Sequence, residues 1–147
     1  MQRLLMFFLL VVLTWRQGLS QEGTKEVRLG RSHYFITLPT SWKLSEARGK
    51  EAQLGYNIFN ERDRDAYWGL VEIKPGRPTG GPLPFPTGVA DSLAAEFLGQ
   101  PVVWIIDVTA WGFEARVKQA DISGQIRAKQ RADLERMVKV FGTLVKK

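Results

Sequence analysis

Between positions 75 and 86 the chain reads Pro-Gly-Arg-Pro-Thr-Gly-Gly-Pro-Leu-Pro-Phe-Pro, which holds five of its seven prolines and three glycines. Proline fixes its own φ and has no N–H to give to a helix or a ladder, so no regular element persists across this stretch. It is a loop, and every strand or helix has to lie before it or after it. Twelve residues without regular structure in a compact domain signal either a working loop or disorder. The prolines limit the entropy lost on binding, and Leu83 and Phe85 offer apolar contacts, so both are candidates for touching a ligand or partner. The alternative is a stiff crossover with both side chains packed inward.

Before the loop, residues 27–29 and 33–38 predict a hairpin turned at Gly30 and Arg31, with Pro39 as its stop. Alternation in residues 52–58 and 67–73 predicts two further strands, paired around a tip, Asn60-Glu61-Arg62-Asp63-Arg64-Asp65, whose charges largely cancel. After the loop, Val89, Leu93 and Phe97 recur at a spacing of four with Ala90, Ala94 and Leu98 beside them. This predicts a helix over 89–98, capped by Thr87 and stopped at Gly99 and Pro101. Residues 102–111, rich in β-branched and aromatic side chains, predict a central strand, and Phe113, Ala115 and Val117 continue into another. Ile126, Leu134, Met137, Val138, Phe141, Leu144 and Val145 form one stripe of a long closing amphipathic helix.

The first twenty residues differ from the rest. Arg3, the unbroken apolar run from Leu4 to Leu13 and the small residues Gly18 and Ser20 predict a secretory signal peptide over 1–20. The apolar run is too short to span a bilayer. The mature chain, 21–147, is then one domain, exported to the periplasm or secreted, with no stable membrane insertion after cleavage. Losing Arg3 and Arg16 lowers the net charge from +6 to +4. That mild excess suits anionic envelope surfaces or solubility, and nucleic acid is not expected as a partner. A chain with no cysteine fits a bacterial envelope better than a eukaryotic secretory route, where small domains are commonly stapled by disulfides.

Zero cysteines and one histidine, His33, exclude thiol nucleophiles, Cys-based zinc sites and multi-histidine cages. No metal and no cofactor is expected. Glu61, Asp63 and Asp65 are interleaved by Arg62 and Arg64 and lack the glycine and terminal glutamate of an EF-hand loop. The glycines of the proline loop carry no phosphate-binding signature. A hydrolase would hang on His33, and no local acid or nucleophile assists it; Ser32 points to the opposite strand face. Trp42, Trp104 and Trp111 lie in or beside apolar strands, where core packing explains them. Trp68 lies out of phase with Tyr67, Gly69 and Val71, so on a one-sided sheet one of the two sets faces out and on a sheet covered on both sides both are buried; facing out, Trp68 is a stacking platform for a sugar or a partner's side chain.

The stretch Phe35-Ile36-Thr37-Leu38-Pro39-Thr40-Ser41-Trp42 resembles the F-x-x-x-x-P-x-x-W opening of PsbP-like and DcrB-like domains. The resemblance implies an α+β fold, a mainly antiparallel sheet flanked by helices on both faces in an α/β/α sandwich. It implies no catalytic residue, because better-known members act as accessory or assembly factors. The reading is therefore an exported, non-enzymatic binding or accessory domain that contacts another envelope protein, with Trp68, Leu83 and Phe85 as candidate contacts. The alternatives are a carrier of a small apolar or sugar-like ligand and, last, a hydrolase using His33.

Overall fold

Side chains of alternating character pair into ladders along most of the described residues. The computed structural model describes residues 22–48, 54–74 and 90–147. Seven strands, β3 (Trp42–Arg48), β4 (Leu54–Asn60), β5 (Tyr67–Ile73), β6 (Ala90–Phe97), β7 (Gln100–Thr109), β8 (Gly112–Gln119) and β9 (Ile122–Ala128), form one antiparallel sheet in the order β3-β4-β5-β9-β8-β7-β6. A smaller sheet holds β1 (Thr24–Arg28), β2 (Tyr34–Pro39) and β10 (Val145–Lys146), ordered β1-β2-β10. The expected first hairpin is β1 and β2, antiparallel from Thr24↔Pro39 to Arg28↔Phe35. At its turn Gly30 has φ +55°, and a Cβ there would meet the Tyr56 hydroxyl at 2.5 Å, so only glycine lets the turn lie against β4.

One helix, α1 (Arg131–Phe141), is present among the described residues. With β2 it covers the inner face of the large sheet. Leu134, Met137, Val138 and Phe141 of α1 join Ile36 and Leu38 of β2 and Trp104, Ile106, Val117, Ile126, Tyr56 and Val71 of the sheet in one buried cluster. Two strand glycines make the closest fit. A Cβ on Gly69 would lie 2.6 Å from the Phe141 ring, and one on Gly124 would lie 3.0 Å from both Phe141 and Trp104. Tyr34 ties the layers together by donating its hydroxyl to Asp121 at 2.9 Å, and burial, aided by that acceptor, pushes its pKa up to about 12.

The α/β/α sandwich is therefore corrected to a β-rich fold with a helix on the inner face only, among the described residues. The helix expected over 89–98 is strand β6, paired with β7 from Ala90↔Asp107 to Phe97↔Gln100. A spacing of four is also a multiple of two, so Leu93 and Phe97 fall on one face of a strand as readily as on one stripe of a helix. Pairing along a whole neighbouring strand overrides the helix propensity of its alanines. The closing helix is shorter than expected for the same reason: Ile126 belongs to β9, Gly142 follows the last turn, and Val145 pairs with Phe35 in β10. The strand β7 lies next to the sheet edge, not at its centre. Trp111 is 44% exposed in the β7–β8 turn, where the Lys129 ammonium lies 6.0 Å from its ring, so core packing does not explain it.

Candidate functional site

The outer face of the large sheet carries no helix among the described residues, and its side chains follow from strand alternation. In β5, Tyr67, Gly69, Val71 and Ile73 are buried inward while Trp68, Leu70 and Glu72 stand outward, half-buried. In β4, Tyr56 and Ile58 point inward, and Asn57 and Phe59 outward. The register Ile58↔Gly69 places Phe59 beside Trp68 across the two strands. Across the rest of the face Trp68 stands opposite Arg127, Arg127 opposite Glu114 and Glu114 opposite Asp107.

Over β7, β8 and β9 the polar groups engage one another. Arg127 Nε donates to Glu114 Oε2 at 3.0 Å, Gln125 Nε2 donates to Glu114 Oε1 at 2.7 Å, and Arg116 Nη2 donates to Asp107 Oδ2 at 2.6 Å. The guanidinium of Arg127 also lies 5.5 Å from the Trp68 ring centroid, a cation–π contact that fixes one neighbour of the indole.

Over β4 and β5 the situation is different. Asn57, Phe59, Arg64, Asp65 and Trp68 line an open depression of about 310 Å³. The hairpin tip that brings Arg64 and Asp65 there is held by its own backbone. Ala66 N–H and Tyr67 N–H donate to the Asp63 carbonyl at 2.8 and 3.1 Å, Asn60 Oδ1 accepts from Arg62 N–H at 3.1 Å, and Lys129 N–H donates to the Ala66 carbonyl at 2.8 Å. Arg64 lays its guanidinium 4.9 Å from the Phe59 ring centroid, which explains why an outward-facing phenylalanine is only 9% exposed. Among the described residues, the side chains of Asn57, Arg64 and Asp65 make no hydrogen bond or ion pair within the chain.

The acids of the tip diverge. Glu61 pairs with Lys43, Asp63 accepts from the Tyr67 hydroxyl at 3.2 Å, and Asp65 faces the depression. A second depression, of about 190 Å³, lies beside Leu70, Lys74, Arg116 and Gln125 and is also open. His33 is exposed in the β1–β2 turn, where its carbonyl accepts from Lys147 N–H at 2.8 Å. Ser32 Oγ donates to the Leu29 carbonyl at 2.6 Å, and among the described residues no acid or hydroxyl reaches the His33 imidazole.

Of the three expected contacts, Trp68 lies in the larger depression, and Leu83 and Phe85 fall outside the described residues, with the rest of the proline loop. Sequence reasoning missed Asn57, Phe59, Arg64 and Asp65. The alternation of β4 and the length of the tip carry that signal, since together they set the register that brings Phe59 beside Trp68. Comparison with family models, with curated proteins and with solved structures finds no match to this chain.

Proposed function

We propose that the chain is an exported, non-enzymatic binding domain whose working surface is the β4–β5 end of the outer sheet face. The observation that carries this reading is the contrast across one face. Glu114, Gln125, Arg127, Asp107 and Arg116 are hydrogen-bonded to each other, whereas Asn57, Arg64 and Asp65 surround an open depression beside Trp68 with their polar atoms uncommitted. Exposed groups that satisfy one another suit a solvated surface, and convergent groups beside an aromatic ring suit a ligand. The export signal expected over 1–20 supports a role in the envelope, contacting another envelope component.

An enclosed apolar cargo fits less well, because the depression is open and Asn57, Arg64 and Asp65 line it. The test is affinity capture of envelope components by the full chain and by two variants, Trp68→Ala with Arg64→Gln and, separately, His33→Ala, each first checked for an unchanged melting temperature. Capture should be lost with the first and kept with the second. Capture lost with His33→Ala and kept with the double variant would overturn the surface assignment.

A further inference from the structure

We infer that the depression at the β4–β5 end binds a neutral pyranose ring of a saccharide, an inference that rests on the surface assignment above. Each sugar hydroxyl both donates and accepts, so a site that recognises neighbouring hydroxyls has to offer both functions. Arg64 only donates, ionised Asp65 only accepts, and the Asn57 carboxamide does both. All three line the same depression, and among the described residues none makes a side-chain hydrogen bond or ion pair within the chain.

Charge selects the neutral occupant. Arg64 and Asp65 are sequence neighbours of opposite sign on one wall. An anionic ligand meets Asp65, a cationic one meets Arg64, and a neutral polyhydroxylated ring leaves the pair balanced while bonding to both. Trp68 supplies the apolar surface for the C–H side of the ring, as aromatic side chains do wherever one side of a ligand is apolar and the other is wet. Phe59, whose ring centroid lies 4.9 Å from the Arg64 guanidinium carbon, gives the guanidinium a fixed neighbour, which lowers the rotamer freedom that binding would otherwise remove.

Extent separates a sugar from a protein. A stable protein partner covers about 800 Å² on each side, whereas Asn57, Arg64, Asp65 and Trp68 line one depression of about 310 Å³, and the neighbouring Arg127, Glu114 and Gln125 are already joined. One ring, or one ring of a longer glycan, fits that extent. An open site of this kind binds a single small ring with a dissociation constant on the order of millimolar.

The test is a nuclear magnetic resonance titration of the full chain with four neutral disaccharides, cellobiose, lactose, mannobiose and N,N′-diacetylchitobiose, alongside glucuronate and a lysine tripeptide as charged probes. At least one neutral disaccharide should shift the Trp68 indole N–H and the Asn57 side-chain amide with saturable millimolar affinity, and the charged probes should not. Trp68→Ala should weaken that binding about tenfold. Arg64→Gln, at an exposed tip where folding is not at stake, should weaken it several-fold with the melting temperature unchanged. If no neutral disaccharide moves these signals, or if glucuronate or the tripeptide moves them equally, the saccharide inference fails. If an envelope protein moves them instead, the saccharide is wrong while the surface assignment stands; if nothing does, both are wrong.

Discussion

Phe141→Ala should lower the unfolding free energy by about 3–5 kcal/mol in a denaturant titration. The side chain is fully buried at the end of α1, packs edge-on against Trp104 with centroids 5.7 Å apart, and rests over Gly69 and Gly124. Truncation leaves a cavity with a glycine floor, and glycine has no side chain that can turn to fill it, so the loss belongs in the upper part of that range. A lower midpoint with an unchanged slope would show a loss of stability without a change in the surface exposed on unfolding. Stability near that of the parent chain would place the α1 stripe at the surface and make it a docking element instead of a lid.

Gly69→Val should cost roughly 1–3 kcal/mol, because its new Cβ would sit 2.6 Å from the Phe141 ring and 2.8 Å from Met137 Cε, and overpacking of this kind moves backbone or forces side chains off their rotamers. Valine is the better strand former, so propensity alone predicts the opposite sign. The sign therefore decides whether α1 lies on β5 as described. Combining Gly69→Ala with Phe141→Leu should cost less than the two separate losses together, since the smaller ring makes room for the added methyl. Calorimetric melting of the single and double variants measures both effects, and a stabilising Gly69→Val or strictly additive losses would contradict the packing.

How much of this was legible in the residues depends on how far each pattern separates periods of two and of 3.6. Tyr67 to Ile73 alternates over seven residues, and its strand and the placing of Trp68 on the face opposite Tyr67 follow directly, while which face is outward comes from the packing of α1. Leu93 and Phe97 do not discriminate, because a spacing of four serves both periods, and the pairing that makes them a strand comes from β7. The strand β9 carries little apolar signal because its inward positions include the small Ala128 and Gly124, the latter with Phe141 and Trp104 filling the space above it. The edge strand β3 has one fully buried inward anchor, Trp42, and its Lys43 and Glu46 leave no alternation long enough to mark a strand. Trp111 was assigned to the core because it follows a β-branched run, yet it caps a turn that no period marks.

The candidate site was half legible for the same reason. Trp68 stands out by phase within one strand, whereas Asn57, Phe59, Arg64 and Asp65 join it only through the register of a hairpin and the backbone bonds of its tip. No single-strand pattern contains that information. His33, the residue that chemistry alone would single out, sits in an exposed turn among groups engaged with backbone.

The central claim is that binding takes place at the β4–β5 end of the outer face, and a footprint on the full chain tests it most directly. Backbone amide and side-chain shifts should be recorded with and without a native envelope extract. The account predicts that the changes cluster on Asn57, Phe59, Arg64, Asp65 and Trp68 and leave Gly30 to His33 and the exposed face of α1 unmoved. Changes centred on the β1–β2 turn or on Arg136 and Lys139 of α1, with the β4–β5 end silent, would contradict it.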